Sequence, residues 1–323
     1  WCLAFYALFA AYPFFFPKTF TRSVIPWAAS ALSGILHFYP VYTILKYSFP
    51  SLAPVAGLIP AAFVAAPLTG LLHLRKVVPA EVPARAGQLA WMGGATLFFV
   101  TLIFPVQFEK EWLTTGWALE GAALCWLATR IPHRGLQLAG GALLSIVFLR
   151  LALNPAVFTY HPRTGRFWNW YLYPYGLAIA SCLAAARFLQ NAKEKVRPFT
   201  PGVPAFYGTV LAFLLMNIEI ADFFTPAGQP VLTFQFSGSL IRNFSYTIAW
   251  AIFALGLLVI GIRKALSGAR YMSLVLFTAT LGKLFLFDIW ELQQIYRVAA
   301  FIIVAVIAIL ASFLYQRFLG GER

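Results

Sequence analysis

The sequence predicts an all-α, polytopic transmembrane helix bundle of about eleven spans. Three observations carry this. The 323 residues are 61% hydrophobic and only 11% charged, too few charges to cover the surface of a water-soluble domain. Apolar runs long enough to cross a bilayer recur along the whole length. The ten-residue alternating segments of a membrane β-barrel are missing from the pattern.

The spans are read at 1–16, 27–46, 53–74, 89–106, 113–129, 136–153, 170–190, 203–223, 241–262, 271–288 and 298–316. Prolines such as Pro26, Pro132 and Pro201 mark the loops between them. Gly93–Gly94 and Gly140–Gly141 are places where two helices approach closely, since small residues let backbones draw near. The chain reads as one integral membrane domain, 1–323, with no large soluble insertion. It opens on Trp1 without a methionine or a basic leader, which predicts the C-terminal part of a longer polypeptide.

The net charge is +14, and its distribution has a physical reading. The odd-numbered loops and the C-terminal tail hold 16 of the 24 basic residues; the even-numbered loops and helix ends hold six. By the positive-inside rule this puts the C-terminus in the cytoplasm and the N-terminal end outside. The same rule accounts for the basic excess, and no basic stretch is joined to a groove-reading element, so nucleic acid is excluded as a partner. Cys2, Cys125 and Cys182 are far apart in apolar runs, and neither they nor the solitary His37 and His73 have metal-ligand spacing. No metal and no cofactor is expected, and no nucleotide or hydrolase motif is present.

The remaining polar residues gather toward one face. Glu219 and Asp222, three apart near the outer end of the eighth span, share a helix face. Glu120, Arg150, Arg242, Lys283 and Asp288 fall in the outer halves of their spans, and Arg297 in an outer loop. A charge at the bilayer centre costs about 2.5–3.5 kcal/mol on the insertion scale. Glu120, Glu219 and Asp222 are therefore expected to face protein and to meet Arg150, Arg242 or Lys283. The loop TYHPRTGRFWNWYLYPY, 159–175, adds His161, Arg163, Arg166, Trp168, Asn169, Trp170, Tyr171 and Tyr173. It reads as an interfacial aromatic belt, or as a platform on which arginines clamp an anion and flat rings pack on a ligand.

Three stretches carry a resemblance: WLTTGWALEGAALCWLATR (112–130), NIEIADFF (217–224) and GKLFLFDIWELQQIYRVAAFIIVAVIAILASFLYQRF (282–318). They resemble a large bacterial family of predicted multi-spanning membrane proteins, domain of unknown function 2339, from about residue 90 to the C-terminus. The resemblance implies the helical membrane fold and a bacterial inner (cytoplasmic) membrane, and it brings no catalytic residues.

Two readings of the charges compete. Buried pairs can simply fix helix register. A polar, aromatic-rimmed chamber open to the outer, periplasmic side can bind or process a lipid-linked or glycan envelope substrate. The second leads, with Glu219, Asp222 and Glu120 as candidate catalytic groups. Its candidate ligand-binding residues are Arg150, Arg163, Arg166, Trp168, Trp170, Arg242, Lys283, Asp288 and Arg297. A non-catalytic scaffold or accessory subunit is the alternative, and a transporter or lipid-handling protein the second. Membrane lipids are expected partners in every case, and other membrane subunits in the scaffold case.

Overall fold

The computed structural model describes residues 1–107, 112–153, 169–190, 199–226 and 239–284. It also describes single positions or pairs at 229, 231–232, 234, 298, 301–302, 305–306 and 309. All regular elements among these residues are helical. In chain order they are α1 Cys2–Phe15, α2 Pro17–Phe20, α3 Ile25–Ser48, α4 Leu58–Val77, α5 Arg85–Gln107 and α6 Trp112–Arg130. Then come α7 Arg134–Leu153, α8 Leu172–Gln190, α9 Gly202–Phe224, α10 Leu240–Arg263 and α11 Ser267–Lys283.

Seven of the described helices are long and apolar enough to cross a membrane: α3, α4, α5, α7, α8, α9 and α10. The expected spans correspond to helices with two differences. The third begins later than residue 53, because Pro50–Val55 forms a separate 3₁₀ turn before α4. Pro54 has no N–H to give a continuous helix. The first and tenth are short, at 14 and 17 described residues. The span expected at 298–316 lies mostly outside the described residues.

The chain forms two compact units, Trp1–Asn154 with Leu172–Ala212, and Pro155–Tyr171 with Phe213–Arg323. The first is built around α5 and α6. The α5 helix packs on α4, α3 and α6, and α6 packs on α7 and α8 as well. One core joins Trp27, Leu74, Leu89, Met92, Leu124 and Leu127. A second stacks Phe38, Phe63 and Phe99, with Tyr6 of α1 against them. A third holds Cys125, Leu144, Cys182 and Leu189.

Glycines set the closest approach. A Cβ on Gly140 would lie 2.8 Å from the Gly121 carbonyl oxygen and 2.9 Å from Cys125 Sγ. A Cβ on Gly93 would lie 2.9 Å from Leu127 Cδ2. Both glycine pairs read from the sequence therefore mark tight helix contacts. Polar staples fix the loops. Gln88 Nε2 donates toward the carbonyls of Phe20, Thr21 and Ser23, 2.8–3.1 Å away, and holds the α2–α3 connection on α5. Ser30 donates to the Ala10 carbonyl at 3.0 Å and ties α3 to α1.

The α6 helix is not among the seven. Thr114, Thr115, Gly116, Glu120, Gly121, Thr129 and Arg130 dilute its apolar content. It needs less, because most of its faces meet protein: Thr114, Thr115, Ala118, Glu120, Leu124 and Cys125 are all buried, and its exposed face presents Leu119 and Trp126. Lipid demands apolar side chains and internally satisfied backbone. A helix wrapped by other helices has only the second requirement.

In the second unit α10 packs on α11. The C-terminal half of α9 is locked to α10 by rings and one hydrogen bond. Phe213 meets Trp250 and Phe253 with centroids 5.3 and 5.6 Å apart. Trp250 Nε1 donates to Asn217 Oδ1 at 2.8 Å. A buried indole N–H requires such an acceptor, so an apolar contact is given a fixed register.

Candidate functional site

The last turns of α9 read MNIEIADFF. On a helix, side chains three apart are neighbours on one face, so Glu219 and Asp222 project together. They differ from Asn217 in direction, and Asn217 is the residue that faces Trp250. The carboxylate face meets Asn169, which lies just before α8. Asn169 Nδ2 donates to Glu219 Oε2 at 2.8 Å and to Asp222 Oδ2 at 3.3 Å. A carboxylate can only accept, so the amide must present its NH₂ group here, one hydrogen for each carboxylate. Asp222 is 2% exposed and Asn169 4%. The Asn169 amide thus bridges two carboxylates, one of them buried and the other half-buried. Like charges repel more strongly there than in water, and the bridging amide offsets part of that repulsion.

Cationic residues of the same unit come from α10 and α11. Lys283, the last residue of α11, is 7% exposed. Its ammonium donates to Thr247 Oγ1 at 2.8 Å and to the Asn243 carbonyl at 3.2 Å. The Thr247 hydroxyl donates in turn to the same carbonyl at 3.2 Å. One turn of α10 therefore offers two oxygens to the lysine: a hydroxyl, and the backbone carbonyl four residues earlier. This arrangement orients a buried ammonium, which in an apolar interior is tolerated only with hydrogen-bond acceptors. Arg242 and Tyr246, from the same turns of α10, are buried too.

The residues singled out in the sequence are therefore distributed as follows. Glu219, Asp222, Arg242 and Lys283 all belong to the second unit; Asp222, Arg242 and Lys283 are buried and Glu219 half-buried, with Asn169 bridging the first two. Trp170 lies beside Asn169 and packs edge-on to Tyr171, centroids 5.3 Å apart. Arg163, Arg166, Trp168, Asp288 and Arg297 lie outside the described residues.

Two residues belong elsewhere. Glu120 is buried in the first unit, and its Oε2 accepts from the Thr101 hydroxyl of α5 at 3.0 Å. The expected basic partner is replaced by this hydroxyl. The reason is packing: α5 lies along that face of α6 and brings a threonine there. Arg150 makes no ion pair with a carboxylate among the described residues. Its guanidinium carbon lies 5.7 Å from the centre of the Trp117 ring, and the side chain is exposed. At the end of α7 a cation resting on an aromatic face keeps its charge at the rim.

Sequence reasoning had Asn169 within the aromatic loop without giving it a role. It missed Asn217, Asn243 and Thr247. A signal was present, since Asn243 and Thr247 are four apart on one face of an apolar helix. Among the described residues no group of three or more His, Cys, Asp or Glu converges as metal ligands would.

Residues 134–318 match the family described as Predicted membrane protein (DUF2339). No curated protein and no solved structure matches the chain.

Proposed function

The chain belongs to this family of predicted membrane proteins, and from that premise we propose that it is a multi-pass protein of the bacterial inner membrane that binds a polar envelope substrate from the periplasmic side. The single observation that carries the proposal is the Asn169 amide shared between Glu219 and Asp222. A neutral residue from a neighbouring segment holds two carboxylates side by side, where one charge would be enough to fix a register. Such a pair can take up or release a proton, or accept hydrogen bonds from the hydroxyls of a lipid-linked or glycan substrate. Lys283, already oriented by Thr247, and Arg242 supply positive charge in the same unit for a phosphate or carboxylate on that substrate. In this reading Arg163, Arg166, Trp168, Trp170, Asp288 and Arg297 complete the rim, and Glu120 and Arg150 take no part.

The test is Glu219→Gln, which keeps shape and hydrogen-bonding capacity and removes the charge. The expected result is loss of complementation of a deletion phenotype by about a hundredfold or more, the scale of a lost acid–base group. The protein should still accumulate and purify as a monodisperse species. Full complementation by Glu219→Gln would defeat the proposal.

A scaffold reading keeps one observation in its favour. Trp250–Asn217 and Thr101–Glu120 are polar contacts that tie one helix to the next, as a scaffold would use them. It requires that a Glu219→Gln variant which accumulates also complements.

A further inference from the structure

The first unit contains a groove unrelated to the carboxylate pair. It lies where the end of α3, the 3₁₀ turn Pro50–Val55 and α5 meet, and encloses about 200 Å³. Its walls are apolar: Tyr42, Leu45, Phe49, Leu52, Ile59 and Val106. Its one charged residue is Lys46, in the last turn of α3.

The groove is held open by a built contact. Gln107, at the end of α5, accepts from the Gly57 N–H at 2.8 Å and donates to the Pro54 carbonyl at 2.7 Å. Gly57 fits because it has no side chain; a Cβ there would lie 2.9 Å from Gln107 Oε1 and 3.3 Å from Ile103 Cγ2. The turn is thereby fixed against α5. Phe49 and Leu52 remain well exposed beside it.

We propose that this groove binds one anionic glycerophospholipid, with an acyl chain along Tyr42, Phe49 and Ile59 and the phosphate at Lys46. Three features select that occupant. The lining gives a hydrocarbon chain an apolar wall, with Lys46 and Tyr42 as its polar side chains. Lys46 sits at the helix end, where lipid phosphates lie. Its ammonium is 5.8 Å from the centre of the Tyr42 ring, and it pairs with no carboxylate among the described residues. The helix α3, the 3₁₀ turn and α4 carry no Asp or Glu, and Lys46 is the charge at the end of them that borders the groove. A negative headgroup is therefore attracted to Lys46 with no acidic competitor on these three elements.

Retained lipid is counted on the purified full chain by native mass spectrometry, after exposure to equal amounts of phosphatidylglycerol and phosphatidylcholine. The wild type is expected to retain phosphatidylglycerol in preference. Lys46→Glu, a change at an exposed position, should cut that retention about fivefold, the scale of losing one lysine–lipid attraction at a membrane surface. Ala53→Trp, which places a ring into the groove from the exposed turn, should remove the bound lipid whatever its headgroup. Lys76→Glu, at the far end of α4, should retain lipid as the wild type does. Equal retention of the two lipids by the wild type, or unchanged retention in Lys46→Glu, would overturn the proposal. Loss in Lys76→Glu equal to that in Lys46→Glu would overturn it too, as general charge attraction.

Discussion

Glu120 and the Glu219–Asp222 pair are both carboxylate environments on apolar helices, the first buried and the second buried at Asp222 and half-buried at Glu219, and they differ in kind. Among the described residues Glu120 accepts from the Thr101 hydroxyl, and it lies on a helix packed on by α5, α7 and α8. Glu219 and Asp222 share one amide, delivered by a residue 50 positions away in sequence from the first of them. The first arrangement can be traded for a neutral one with little consequence, because one hydroxyl and one carboxyl satisfy each other. The second brings two acidic groups to one amide. Burial alone therefore does not distinguish the two environments; the amide of a distant segment, bridging two acidic groups, does.

The largest effect that would break this contrast comes from Asn169→Leu, which keeps the volume and removes both N–H donors. Under the proposed function it lowers complementation about a hundredfold or more, with the protein still present in the membrane. Full complementation would make the two environments alike. Thr101→Val is the matching change in the first unit. It leaves Glu120 buried without its hydroxyl partner and should cost about 1–3 kcal/mol, read as a lowered thermal midpoint in detergent. Complementation by the folded fraction should stay intact; loss of it would move Glu120 into the functional set.

The packing around α6 gives the next test. Gly140→Ala places a methyl group against the Gly121 carbonyl, a backbone atom that cannot turn aside. A destabilisation of about 1–3 kcal/mol follows from overpacking. An unchanged midpoint would mean that α6 and α7 can separate freely, and that the wrapping which lets α6 carry Glu120 is looser than the structure shows. The smallest effect is expected of Glu120→Gln. The amide can still meet Thr101, so stability should change by less than about 1 kcal/mol and complementation should not change. Abolished activity in that variant would put Glu120 back beside Glu219 and Asp222.

Much of this was legible before the structure. The apolar runs located helices at α3, α5 and α7–α10 to within a few residues, because the bilayer sets both their length and their composition. The diluted run at 113–129 was also placed correctly, although α6 falls outside the helices apolar enough to be counted as spans. What marked it as central, that most of its faces meet protein, could not be read from its composition. The glycine pairs gave away close helix contacts for a simple steric reason. The start of α4 was missed, since Pro54 ends a separate turn there.

The carboxylate face of α9 was legible because a three-residue spacing fixes relative direction on any helix. The partner across from it was not. A helix has a face by virtue of its own periodicity, but what lies opposite depends on the rotation and axial shift at which another element packs. Thr101 and Glu120 are 19 residues apart, Asn169 and Asp222 53, and Lys283 and Thr247 36. No local rule reaches across such separations. A cation was the reasonable expectation opposite Glu120, and the packing of α5 put a threonine there instead. The sequence by itself determined that this is a helical membrane protein with acidic residues gathered on one turn of α9. Only the tertiary structure decided which of its charges share a partner, because hydrogen bonds act over about 3 Å and that distance is set by how helices pack.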